Sequence, residues 1–312
     1  MNAQPKKAAF VALSGRPSVG KSTLVNLICG AKVAIVSPVP QTTRNAVRGI
    51  LTRPDGQLVF VDTPGRHVSE KKFNKKLMDV ADRALEDCDL VLYVLDASRS
   101  PGPEEEAVAL KLKGLQDRTV VAINKTDLNA ADPEKIISFL EEQLPDINSE
   151  RRFEISCSKK EGITPLVDCL FAMAGEGELF YPGEYYTDQD MRFRISEIIR
   201  EKAMRCLREE LPHSIYVEVS DVELREIPGD DTSSGSAAAG KKRLWVRAFI
   251  ITERESQKGM IVGKGGRMIK AIGQAARKEL NSIFEWKVEL DLRVKTGKDW
   301  RHDDRVLKKI IS

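Results

Sequence analysis

Two short glycine-rich stretches hold residues whose types and spacing suit phosphate chemistry. The first is Gly15-Arg16-Pro17-Ser18-Val19-Gly20-Lys21-Ser22, followed by Thr23. Its glycines let backbone N–H groups close around an anion, and a helix opening at the lysine adds its positive dipole end. A lysine so placed reaches the β- and γ-phosphates of a nucleotide, and the next hydroxyl, Ser22, is set to ligate Mg2+. The second stretch is Gly263-Lys264-Gly265-Gly266, with Arg267 and Lys270 just beyond it. It lacks the six-residue lead and the Lys-Ser pair, so it does not repeat the first loop's chemistry.

Three further segments narrow the nucleotide. Asp62-Thr63-Pro64-Gly65 ends an apolar run, so Asp62 can hold a Mg2+ shell while the Gly65 N–H meets a γ-phosphate. Asn124-Lys125-Thr126-Asp127 ends another. A carboxylate there accepts two hydrogen bonds from the N1–H and exocyclic amine of guanine, which adenine does not offer. Ser156-Cys157-Ser158 follows a third run, where a backbone N–H can support the guanine O6. In this order the segments specify GTP rather than ATP. Between the phosphate loop and Asp62, residues 38–47 are rich in turn formers and lack periodicity. A threonine there completes a Mg2+ shell only when a γ-phosphate is present, which is how a switch segment senses its nucleotide.

The elements that must position these groups follow from the apolar pattern. Residues 8–174 alternate apolar runs (8–15, 57–63, 90–97, 119–124, 152–156) with helical stretches at 104–115, 133–143 and 163–173. That is an α/β domain with a mostly parallel sheet, and its motifs sit at strand C-termini, where ligands collect. Around 175–190 the texture turns to glycine, proline, tyrosine and acid without periodicity, which marks a boundary. Beyond it the pattern predicts helix 192–210, strands 214–226 and 243–253, helix 254–262, the Gly-Lys-Gly-Gly loop, helix 267–283 and strand 286–296. A small-residue tip occupies 228–240, and a short helix near 303–311 closes the pattern.

Helix–GxxG–helix within that order resembles the type II KH domain, an α+β unit that clamps single-stranded nucleic acid. The glycines admit the backbone phosphates; Lys264, Arg267 and Lys270 supply counter-charge. Ile261, Ile269 and Ile272 fit either the helix core or the base groove, the core being favoured. Charge agrees. Lys plus Arg against Asp plus Glu count 24 to 26 over residues 1–186, but 19 to 9 from Lys241 onward. Such a skew fits a polyanion partner, and a solvated charged surface explains it equally well.

No apolar run reaches membrane-span length, and the N-terminus has no signal-peptide pattern. Five scattered cysteines without CxxC spacing argue for a reducing compartment and against metal or disulfide roles, which places the chain in the cytoplasm.

With these motifs in this order, the whole sequence resembles the Era GTPases, up to the stretch "DWRHDDRVLKK" at 299–309. The resemblance implies a GTPase domain over 1–174, an interdomain linker and pivot at 175–190, and a type II KH RNA-binding domain over 191–312. It implies GTP/GDP and Mg2+ as cofactors, with Thr43 of Thr42-Thr43-Arg44 joining Ser22 and Asp62 as metal ligands. It also implies a monomer acting on the 3′ end of 16S ribosomal RNA during 30S subunit assembly, with weak peripheral association at the inner membrane face. Two positions depart from the family's pattern. Ser18 stands where relatives carry an asparagine that helps hold an activating potassium ion. Arg66 follows the Asp-Thr-Pro-Gly turn, where relatives carry an apolar residue and better-known GTPases a catalytic glutamine. Arginine is no base at neutral pH, so its candidate role is charge stabilisation beside Lys21, with a solvent- or RNA-facing side chain as the alternative. His67 is read as a surface residue, and no residue is assigned as general base. The alternatives are a non-hydrolysing RNA-binding scaffold and a GTPase acting on a different RNA.

Overall fold

A computed structural model describes residues 6–39, 42–65, 72–226 and 242–311. They fall into two compact units, Met1–Asp188 with Asp304–Ser312, and Gln189–Asp303.

The first unit runs β1 (Lys7–Ser14), α1 (Lys21–Cys29), β2 (Val47–Arg53), β3 (Gly56–Asp62), α2 (Lys72–Asp87), β4 (Leu90–Asp96), α3 (Pro103–Leu112), β5 (Thr119–Asn124), α4 (Pro133–Gln143), β6 (Arg152–Glu154), α5 (Ile163–Met173) and β7 (Gly175–Glu176). The sheet order is β2-β3-β1-β4-β5-β6, with β7 added antiparallel at the start of β1. All other neighbours are parallel except β2–β3. Strands β3, β4 and β5 are buried at every position because helices cover both faces, which is why they read as unbroken apolar runs. On one face, Ala84, Leu85, Val108, Leu112, Ile136 and Leu140 from α2, α3 and α4 close over β4 and β5.

Besides the two-residue β7, two elements exceed the expected pattern. The β2–β3 hairpin turns at Pro54-Asp55, and β2 lies at the sheet edge, where three of its seven positions are buried. Helix α2 follows residues 66–71, which lie outside the described residues. Residues 175–188, expected as linker, pack on the first unit. An edge strand exposes unpaired backbone groups, and this segment covers them: the Ile50 N–H donates to the Tyr186 carbonyl (2.9 Å) and the Thr187 hydroxyl to the Arg48 carbonyl (2.8 Å). Arg48 pairs with Asp188 at 2.9 Å, and the Gln57 side chain bonds the Tyr181 backbone in both directions.

The second unit is α6 (Met191–Cys206), β8 (Ile215–Glu226), β9 (Lys242–Thr252), α7 (Glu255–Val262), α8 (Arg267–Ile283) and β10 (Lys287–Thr296). Its sheet order is β10-β9-β8, β8 antiparallel and β10 parallel to β9. Ile195, Ile199, Ile250, Ile261, Ile272 and Leu280 form its core. Trp300 is 1% exposed, donates to the Ser214 carbonyl (3.2 Å) and meets Tyr216 edge-on at 5.1 Å. The expected tip at 228–240 lies outside the described residues. Helix α9 (Asp304–Ile310) belongs to the first unit, where Asp304 pairs with Lys76 and the Ile310 carbonyl accepts from Asn45.

Candidate functional site

Three of the predicted motifs lie at the ends of β3, β5 and β6, and the phosphate loop links β1, which pairs with β3, to α1. One cleft of about 280 Å³ brings together Pro17, Ser18, Gly20, Lys21, Ser22 and Thr23 with Ile35–Val39, Thr42, Thr43, Gly65 and Lys125. The loop's shape requires its sequence. Gly20 has φ 107°, and a Cβ there would lie 2.4 Å from the Asn124 amide nitrogen. Ser18 also adopts a left-handed backbone, φ 64°.

Lys21 Nζ donates to the carbonyls of Gly15 (2.9 Å) and Arg16 (3.0 Å). Burial pushes its pKa from the usual 10.5 down to about 8, opposed by the nearby Asp62 carboxylate. A polyphosphate is the counter-charge that such a buried ammonium favours. Arg16 turns its own side chain the other way, into the protein, where it pairs with Asp96 at 3.3 Å and with Glu105. Val19 is fully buried. Both therefore shape the loop rather than present a side chain to the cleft.

The expected metal ligands meet. Ser22 Oγ lies 2.5 Å from Asp62 Oδ2 and 3.0 Å from Thr43 Oγ1, and Thr43 donates to Asp62 Oδ2 at 3.3 Å. Thr42 instead donates to the Val39 carbonyl. Asp62 is buried, its carboxyl pKa is raised by that burial, and its Oδ1 has no hydrogen-bond partner among the described residues. Two hydroxyls and a carboxylate with an orphaned oxygen form an all-oxygen donor set that fits Mg2+. At the end of the same turn, a Cβ on Gly65 would lie 2.6 Å from the Pro17 backbone. The Thr63 hydroxyl donates to the Leu13 carbonyl at 2.8 Å, tying that turn to β1. Arg66 and His67 lie outside the described residues.

The base-side motif divides its labour. Asn124 is buried; its amide donates to the Val19 carbonyl (2.8 Å) and accepts from the Cys157 N–H (3.2 Å). That bond uses the Cys157 amide, which the sequence offered among those free for guanine O6. Lys125, at φ 68°, donates to the Ser18 carbonyl (2.9 Å) and pairs with Asp96 (2.6 Å). Thr126 donates to the Ile155 carbonyl at 3.0 Å. Asp127 accepts from Ser156 and Ser158, each at 2.7 Å, and these hydroxyls hold its pKa below the ordinary carboxylate value. It therefore stays an acceptor at neutral pH, as guanine recognition requires. Asp96 and Glu105 escaped the sequence reading. A carboxylate closing the apolar strand "LVLYVLD" was the available signal, since Asp62 closes β3 in the same way.

In the second unit, α7 ends at Gly263 and a tight turn over Lys264–Gly266 leads into α8. Gly265 and Gly266 have φ 61° and 74°, and a Cβ on either would meet nothing within 4 Å. Conformation demands glycine here, and the surface above remains open to a backbone phosphate. Lys264, Arg267 and Lys270 are exposed around the turn. Ile261 and Ile272 are fully buried core residues, whereas Ile269 is half-buried. Met260, 59% exposed beside the loop, is an apolar side chain the sequence reading did not single out.

Among the described residues no helix is long and apolar enough to cross a membrane. Residues 10–125 match a family model described as 50S ribosome-binding GTPase, and residues 210–301 one described as KH domain. The chain is 48% identical over 303 residues to GTPase Era of Treponema denticola, covering 97% of this chain and 99% of that protein. It is 44% identical over 306 residues to GTPase Era of Borreliella afzelii, covering 98% and 100%. It is similar to the crystal structure of an Aquifex aeolicus Era variant bound to GDP·AlF4−, with TM-score 0.87, 33% identity and coverage of 97% and 98%. It is likewise similar to that of Era with MgGDPNP and nucleotides 1506–1542 of 16S ribosomal RNA, with TM-score 0.88, 34% identity and coverage of 98% of each chain.

Proposed function

Because the chain belongs to the Era family of GTPases, we propose that it is a GTP-driven switch that holds the 3′ region of 16S ribosomal RNA during 30S subunit assembly. The observation that carries the switch is the meeting of Ser22 and Thr43 at one oxygen of Asp62, whose other oxygen is orphaned. Mg2+ held there supplies Lewis-acid charge to the β- and γ-phosphates. The backbone N–H groups of the loop from Gly15 to Thr23, Pro17 excepted, surround the phosphates, and Lys21 stabilises charge developing on them. Thr43 belongs to the segment before β2, so its hydroxyl reports whether the γ-phosphate is present. The Gly65 amide approaches the phosphate loop from the other side. Asp127 reads guanine, while Asn124, Lys125, Thr126 and Ser156 to Ser158 hold it in place. Arg66 as an added charge near the γ-phosphate remains part of the proposal.

The RNA site comprises Gly263, Lys264, Gly265, Gly266, Arg267 and Lys270, where small residues admit the phosphates and the cations neutralise them. Support comes from the open left-handed glycines of this turn and from the RNA-bound relative. We further propose that the protein acts as a cytoplasmic monomer. Weak peripheral association with the inner membrane face would rest on basic charge alone.

The test is binding of a labelled oligonucleotide matching the 3′ end of 16S ribosomal RNA, with transfer RNA as competitor. Tighter binding to the GTP-analogue form than to the GDP form is expected. Gly265→Asp should abolish binding, because it adds negative charge where the phosphates approach, and aspartate strains a φ of 61° less than most side chains do. Equal binding in both forms would remove the switch, and effective competition by transfer RNA would reassign the target.

A further inference from the structure

Beneath the phosphate loop lies a cluster of four charges that ligand recognition does not account for. Asp96 ends β4 and is 3% exposed; Arg16 and Glu105 are each 7% exposed. One oxygen of Asp96, Oδ2, accepts from both Lys125 Nζ at 2.6 Å and Arg16 Nη2 at 3.3 Å. The other, Oδ1, accepts from the Ser98 N–H at 3.0 Å and the Ser98 hydroxyl at 2.6 Å. Arg16 Nε in turn contacts Glu105, whose second oxygen accepts from the Gly102 N–H at 3.0 Å at the start of α3. Every lone pair of the Asp96 carboxylate is directed, and its two cations come from different motifs. Arg16 belongs to the phosphate loop, Lys125 to the guanine-reading loop.

Arg16 and Lys125 are 109 positions apart, and like charges converging on one spot repel unless an anion lies between them. We propose that Asp96 is a positioning residue, the shared counter-ion that locks the phosphate loop to the guanine-reading loop and thereby sets how long nucleotide is held. The inference rests on the nucleotide reading of the cleft. Two backbone contacts run in parallel with it, Asn124 to the Val19 carbonyl and Lys125 to the Ser18 carbonyl. These are neutral acceptors. Only Asp96 offers charge, and a charge-assisted bond to a carboxylate 3% exposed is the stronger restraint. Arg16 acts through Asp96 rather than on the ligand, because its guanidinium is spent on the two carboxylates.

The experiment measures release of a fluorescent GDP from the full-length protein by stopped flow, alongside single-turnover GTP hydrolysis at saturation. Asp96→Asn keeps the shape and Ser98's hydrogen bonds but removes the charge. It is expected to speed GDP release at least ten-fold while changing saturated hydrolysis less than three-fold. Arg16→Gln is expected to speed release in the wild-type background and to add nothing in the Asp96→Asn background. Glu105→Gln leaves the Asp96–Lys125 bond intact and should have a smaller effect than either. A merely structural role would lower thermal stability without this release-against-hydrolysis split and without the loss of additivity. Release within two-fold of wild type in both Asp96→Asn and Arg16→Gln, or strictly additive effects of the two, would overturn the proposal. If Asp96→Asn does not fold, the decision falls to Arg16→Gln with Arg16→Lys, where lysine must restore slow release. Failure of the wild-type protein to bind GDP at all would instead strike the nucleotide reading itself.

Discussion

Raising the pH from 7 to 9 brings one group of the nucleotide cleft into titration, because burial has lowered Lys21 from 10.5 to about 8. Free protein at pH 8 then carries Lys21 about half protonated, and at pH 9 only about one-tenth. Bound polyphosphate places several negative charges beside Nζ and restores the ammonium, so binding takes up a proton. The expected uptake is about 0.5 proton per GDP at pH 8, rising toward 0.9 at pH 9, with affinity about ten-fold weaker at pH 9 than at pH 7. Calorimetry at pH 8 in two buffers of different ionisation enthalpy measures the uptake directly, and pH 8 avoids titration of guanine N1. Lys21→Arg removes the titration, because guanidinium stays charged, and its uptake should fall to zero. The same displacement acts on folding. The folded pKa lies below the unfolded one, so a cost of roughly 3 kcal/mol is fully present below pH 8. It fades as the pH rises from 8 toward 10.5. Zero uptake at pH 8, or proton release, would refute the reasoning, because Lys21 would then be solvated well enough to stay charged without a ligand.

Three other outcomes follow from local geometry. Gly65→Ala would place a Cβ 2.6 Å from the Pro17 backbone, which pushes the turn away from the phosphate loop. Single-turnover hydrolysis should fall by about 100-fold, as for an ångström-scale misplacement, with GDP affinity nearly unchanged; an unchanged rate would show that the turn need not approach. Ser18→Asn puts a residue that favours positive φ at 64°, with an expected gain of up to about 1 kcal/mol in urea unfolding. The same variant should also make hydrolysis faster in potassium than in sodium, and equal rates would count against a potassium ligand at this position. Trp300→Ala removes a side chain only 1% exposed and should destabilise the second unit by about 3–5 kcal/mol. RNA binding should be lost while GDP binding persists, and a cost under about 1 kcal/mol would contradict its place in the core.

The phosphate loop, the guanine motif and the GxxG turn were legible because their chemistry is local. Each needs particular backbone angles and particular donors within ten residues, and glycine, lysine and serine at fixed spacing leave few other solutions. The fully buried strands β3, β4 and β5 were legible for a related reason, since unbroken apolar runs of that length are buried on both faces. Strand β2 was missed because an edge strand alternates less clearly, although Pro54-Asp55-Gly56 between two β-prone runs is a turn signal. Helix α2 was missed although Leu77, Ala81, Ala84 and Leu85 keep a helical period. Residues 175–188 read as linker because their order comes from bonds to Arg48, Ile50 and Gln57, more than 120 positions away.

By itself, then, the sequence determined which nucleotide class the first loop's motifs suit, that the second loop does not repeat that chemistry, and the order of the elements carrying both. Those conclusions need only local backbone geometry and the hydrogen-bonding inventory of a few side chains. Tertiary structure alone decided that Arg16 turns away from the cleft and that one carboxylate at Asp96 receives both Arg16 and Lys125, and it sets Thr43 rather than Thr42 against Ser22 and Asp62, as the family resemblance implied. Each depends on where separate strands end relative to one another, and that distance exists only once the sheet has brought β1, β3, β4 and β5 side by side.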